Sequence, residues 1–104
     1  MSDPHIIRLR DPWDAEHSDE HVTLWRRRFN RPTGLVPGDQ VWLVVQTTAA
    51  PQSLRLNDID VPLSAHGNGS VRVEIASRME MRNTIEILSG APRDFEVWLE
   101  IVSQ

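Results

Sequence analysis

From Val22 to Val102 the chain keeps returning to one rhythm: apolar side chains at every second position, in short runs cut by turn residues. Val71, Val73 and Ile75 alternate with Arg72 and Glu74. Phe95, Val97, Leu99 and Ile101 alternate with Glu96, Trp98 and Glu100. A period of two sends successive side chains to opposite faces of an extended strand, whereas a helix needs apolar residues three and four apart. The rhythm predicts strands over 5–10, 22–30, 40–47, 53–57, 59–63, 71–75, 82–88 and 95–102. The run Val41 to Val45 is apolar throughout; its β-branched content and flanking turn residues favour a strand covered on both sides.

Turn chemistry separates these runs. Gly34, Pro37 and Gly38 cluster between the second and third, and Asn57-Asp58 tolerates the positive φ of a two-residue hairpin. Segment 11–21 is polar and acidic and contains Pro12; it reads as a loop with room for one helical turn. Segment 76–82 reads as a short helical turn. About eight short strands at this spacing predict an all-β antiparallel sandwich or barrel.

At 104 residues the expectation is one domain, 1–104. A chain of this size buries roughly two-thirds of the surface it exposes when unfolded, enough for a single core. Cysteine is absent, which excludes disulfides, thiolate zinc sites and Cys nucleophiles. Lysine and tyrosine are also absent, so all 11 cations are arginine, and Schiff-base chemistry and a Tyr acid are excluded. A net charge of −4 argues against a nucleic-acid binder. No apolar stretch approaches the roughly 18 residues of a membrane helix. Met1 to His5 lacks the pattern of a secretory signal, so the expected compartment is the cytoplasm.

Four of the six aromatic residues are Trp. Alternation places Trp98 on the face opposite Val97 and Leu99, between Glu96 and Glu100. A flat indole flanked by carboxylates suits stacking on a sugar ring, with acceptors for its hydroxyls; the plainer role is to cover a groove or a dimer contact. Trp25 and Phe29 share a face with Arg27 and are expected in the core. Trp42 is expected to pack beside Val44, and Trp13 to plug an open end.

Arg26 and Arg28 share the other face of their strand. They form a candidate anion site, for a phosphate or a uronate, weighed against ordinary cross-strand ion pairing. His17 and His21, four apart, would share one face of a helical turn and are the weak metal candidates; the zinc-protease pattern is missing. His66 is expected on a loop tip, within reach of a ligand. No pair of acids stands in a recognisable glycosidase setting and no nucleophile elbow is present.

Four segments together resemble a known family. They are Leu24-Trp25-Arg26-Arg27-Arg28-Phe29-Asn30-Arg31-Pro32, Gly38 to Val45, Ser53 to Val61, and Arg82 to Leu88. Their order is similar to the galactose-binding-like, sugar-binding domain at the front of family 2 glycoside hydrolases, with a weaker echo at Leu9 to Trp13. The resemblance implies a jelly roll of two antiparallel sheets. It implies that Asn57 is the hairpin Asn, with Asp58 where Gly is usual, and that Asn83 opens the late strand. Ala50 to Gly69 looks shortened against the family. The family's catalytic acids lie in a separate barrel, so no catalytic residue is carried over.

The expected function is a non-catalytic carbohydrate-binding module without a cofactor. The ligand candidates are Trp98, Glu96, Glu100, Arg26, Arg28 and His66. The alternative is a protein-interaction or assembly module on the same sandwich. The expected partners are a carbohydrate, another protein or a second copy of the chain, and neither nucleic acid nor membrane.

Overall fold

The computed structural model describes residues 4–10, 12–19, 22–47, 51–62, 65–66, 70–90 and 95–103. These form ten strands: β1 (His5–Arg8), β2 (Asp14–Asp19), β3 (Val22–Asn30), β4 (Gln40–Gln46), β5 (Ser53–Leu56), β6 (Ile59–Asp60), β7 (Ala65–His66), β8 (Ser70–Glu74), β9 (Arg82–Ser89) and β10 (Glu96–Val102). One 3-10 turn spans Ala76–Arg78. The strands pair antiparallel in two five-stranded sheets, ordered β1-β10-β4-β8-β7 and β2-β3-β9-β5-β6. Most sequence neighbours lie in opposite sheets; β2-β3, β5-β6 and β7-β8 stay in one sheet. The chain is an all-β antiparallel sandwich.

The eight expected strands are all present. Two more, β2 and β7, lie where loops were expected. In β2 the side chains of Asp14, Ala15 and Glu16 are all exposed, so no hydrophobic period marks it. Its strand character comes from backbone pairing along β3, with Ala15 opposite Trp25 and Glu16 opposite Leu24.

Alternation sets the core. The first sheet contributes Val41, Leu43 and Val45 from β4, Val97 and Leu99 from β10, and Val71 from β8. The second contributes Leu54 and Leu56 from β5, Ile85 and Ile87 from β9, and Phe29 from β3. Most of these are essentially sealed from solvent, and truncating one of the buried Leu or Ile residues to Ala costs about 2–5 kcal/mol. Aromatic rings close one end. Trp13 and Trp25 each meet the Phe95 ring edge-on, at centroid distances of 5.3 and 5.9 Å. The buried Trp13 indole also donates to the Leu9 carbonyl at 3.1 Å, so it does plug the sandwich.

Arg27 shares the inward face with Trp25 and Phe29 but reaches the rim. It donates to the backbone carbonyls of Arg10 and Arg28, tying β3 to the chain just after β1.

A polar hub holds the other end. Asn57 and Asp58 both have positive φ, 52° and 66°, the signature of a type I′ hairpin between β5 and β6. The Asn57 side chain accepts from the Thr84 amide at 2.9 Å and donates to Asn83 Oδ1 at 3.0 Å. Asn83 is buried; its Oδ1 also accepts from the Glu80 amide at 2.8 Å, and its Nδ2 donates to the Glu80 carbonyl at 2.9 Å. Two residues 26 apart in sequence thus fasten the hairpin, the segment after the 3-10 turn and β9 to each other.

Candidate functional site

The named ligand candidates fall on two opposite outer faces. Trp98, Glu96 and Glu100 lie on the first sheet; Arg26 and Arg28 lie on the second. The structure does not bring the two groups together. His66 lies in β7, with its backbone opposite Ser70, rather than on a loop tip. The expectation of a helical turn around His17 also fails: His17 belongs to strand β2, opposite Thr23, with a register shift before Asp19. His21 lies outside the described residues. Among the described residues no three His, Asp or Glu side chains are grouped to hold a metal ion.

On the first sheet's outer face, register places Trp98 opposite Val44 and Glu100 opposite Trp42. The half-buried indoles shield Val44, which is 4% exposed although it points away from the core. The polar groups around them are already engaged. Trp98 Nε1 donates to Glu100 at 3.0 Å, and Arg72 pairs with the other Glu100 oxygen at 2.9 Å. The Arg72 guanidinium also lies 4.3 Å from the Trp42 ring centroid, and Arg8 lies 5.8 Å from that of Trp98. Trp42 donates to Gln40 at 3.3 Å. The Trp98 hydrogen bond, then Arg72, hold the Glu100 carboxyl below its ordinary pKa, against the opposing effect of partial burial. Sequence reading found Trp98 and Glu100 but missed Arg72 and Trp42 as their partners. The signal was available only through strand register, which brings residues 26 to 58 positions apart onto one patch.

On the second sheet's outer face a row of charge crosses all five strands. Asp14 stands opposite Arg26, Arg26 opposite Glu86, Glu86 opposite Arg55, and Arg55 opposite Asp60. The signs alternate at every step. Arg26 donates through Nε and a terminal nitrogen to one Glu86 oxygen, at 3.1 and 2.9 Å, and lies 3.8 Å from Glu16. Arg55 lies 3.3 Å from Asp60. The hydrogen bond and charge of Glu86 raise the already high pKa of Arg26. Glu86 is 7% exposed, so its carboxylate depends on this partner. For Arg26 the plainer reading, cross-strand pairing, therefore describes what the side chain does.

Arg28 differs. It is exposed, stands opposite Thr84, and enters none of the ion pairs among the described residues; the same holds for Arg82, one row further along. Beside them runs a groove of about 490 Å³, walled by Arg26, Arg28 and Arg82 on one side of the charge balance and by Asp58, Glu80 and Glu86 on the other. A second cleft, about 360 Å³, opens between β1 and β3 over Ile7, Leu9, Phe29 and Leu99.

No protein-family model matches the sequence, and no curated protein matches it. Among solved structures, the chain is similar to an FMN-binding β-glucuronidase from Facaelibacterium prausnitzii L2-6. The TM-score is 0.72 at 13% identity, over 92% of this chain and 22% of that one. The chain spans about a fifth of the length of that enzyme chain. The likeness establishes the fold: part of a glycoside hydrolase chain has the same sandwich architecture. Among the described residues, no helix is long and apolar enough to cross a membrane.

Proposed function

We propose that this domain is a non-catalytic carbohydrate-binding module. One observation carries the reading: Trp98 and Trp42 sit half-buried at diagonal positions of adjacent strands on an outer sheet face, framed by Glu100 and Arg72. The Trp98 indole, held through Nε1 by Glu100, is pre-oriented, which lowers the entropic cost of stacking a sugar ring on it, while Trp42, already carrying Arg72 on its ring, borders the patch. The likeness to part of a β-glucuronidase, an enzyme of sugar chemistry, supports the same reading. A glycan array probed with the purified chain tests it. Binding to one sugar class that disappears in Trp98→Ala, with the circular dichroism spectrum retained, is the expected result. A blank array from well-folded protein refutes the reading.

A second reading has its own observation. Both indole N–H groups on this face are already donated within the chain, and the patch joins Trp to Arg, the residues that dominate protein interfaces. On that reading the face docks another protein or a second copy, and Trp98→Ala yields a smaller species in sedimentation without loss of any sugar affinity.

A further inference from the structure

We propose that the groove on the second sheet's outer face is a separate site for a sugar acid, with Arg28 and Arg82 gripping its carboxylate. The inference rests on the reading of the domain as a carbohydrate binder, but it uses the opposite face of the sandwich.

Charge placement carries the argument. The row from Asp14 to Asp60 balances every cation it contains. The next two rows are unlike it. Arg28 faces Thr84 and Arg82 faces Asn30, so two guanidinium groups stand on diagonal positions of adjacent strands with no acid opposite either. Like charges so placed repel, and an oxyanion between them converts the repulsion into charge-assisted hydrogen bonds. Arg26 is not available for that task, because Glu86 holds it.

The rest of the groove decides what carries the oxyanion. Asp58 and Glu80 line it together with Arg28 and Arg82, and both acids are exposed. With Arg26 and Glu86 counted, three cations meet three acids among the described lining residues, so these carry no net charge. A polyphosphate or a nucleic acid gains no net attraction there. A ligand with one negative charge and several hydroxyl groups does better: the carboxylate takes Arg28 and Arg82, and the hydroxyls donate to Asp58 and Glu80. Among the described residues no apolar side chain lines the groove, so a ligand polar at each carbon fits and one with an apolar side chain finds no dry contact. The floor is fixed in advance. Thr84 is held by its amide on Asn57, and Asn57 is held by buried Asn83.

The test is a titration of the full chain, followed by amide NMR shifts, with sodium glucuronate, glucose and acetate as the probes. Glucuronate is expected to shift the amides of Arg82 and Thr84 and to bind at least tenfold more tightly than glucose or acetate at that site. Arg28→Ala and Arg82→Ala are each expected to weaken it roughly tenfold or more, the loss of a charge-assisted hydrogen bond, while Trp98→Ala leaves it unchanged. Acetate binding as tightly as glucuronate, or glucuronate affinity unaffected by either arginine variant, overturns the proposal. If glucose binds at the Trp98 face and glucuronate does not enter the groove, this inference falls while the carbohydrate reading stands. If the chain binds neither of these sugars but does bind another glycan on the array, this inference falls alone; if the array is blank as well, both fall.

Discussion

Asn83 shows how much one side chain can hold. Buried among apolar neighbours, its amide accepts two hydrogen bonds and donates to the Glu80 carbonyl. Asn83→Ala is expected to cost about 1–3 kcal/mol, because it strands the groups it satisfied. Asn57→Ala should cost a similar amount. The two losses should fall short of adding in a urea double-mutant cycle, since each removes the same bond; strictly additive losses would separate the two residues. That both matter was legible from their resemblance to family positions. That they bond each other was not, because nothing local links positions 57 and 83. Glu100 supplies a pH-dependent contribution. Its pKa is lowered in the folded chain from an ordinary value near 4.5, so its stabilisation is fully present above that value and is lost as pH falls through the lower folded value. Glu100→Gln should therefore cost about 1–2 kcal/mol at pH 7, with the gap to wild type closing toward pH 3 in urea midpoints. A gap of constant size would exclude a role for the carboxylate charge.

At the scale of elements, the hairpin of β5 and β6 turns through two non-glycine residues in the left-handed region. That conformation crowds the side chain of an L-residue against its own backbone, and Asp relieves only a fraction of the strain. Asp58→Gly should raise stability by about 0.5 kcal/mol, the relief being partly offset by the greater freedom of glycine when unfolded. Thermal unfolding checks the sign, and a lower midpoint would mean the Asp58 side chain has a folding role. The turn was readable because Asn-Asp is a local signal. Strands β8 and β10 were readable because one face of each is turned to the core, and burial writes a period of two into the sequence; β4 was readable instead as a β-branched apolar run, Val41 to Val45, buried on both faces. Strand β2 left no such trace: it lies at a sheet edge with acids and a small residue exposed, and its partner β3 alone defines it. Expecting a helical turn there led directly to the histidine pair as a metal candidate. The Trp98 patch was half-readable in the same way, since alternation gave the outward face of β10 and only register gave Arg72 and Trp42.

At the scale of the whole molecule, the sandwich is built almost entirely from pairings between distant segments. β1 lies against β10, β4 against both β10 and β8, and β9 against both β3 and β5. Closing such loops costs entropy before any contact offsets it, so folding is expected on the millisecond-to-second scale of β-sandwiches. Stopped-flow Trp fluorescence checks this; relaxation within about 100 µs would show that a local nucleus dominates instead. The pairing of the first strand with the last has a mechanical consequence. His5 stands opposite Ile101 and Arg8 opposite Trp98, so the start of β1 and the end of β10 leave the sheet side by side. A load applied across these two ends pulls along the direction of the hydrogen bonds that join the strands. The bonds then break in succession, pair after pair, as a zipper opens. Under tension this domain should yield at low force from its own edge, while the interior strands behind it are still intact.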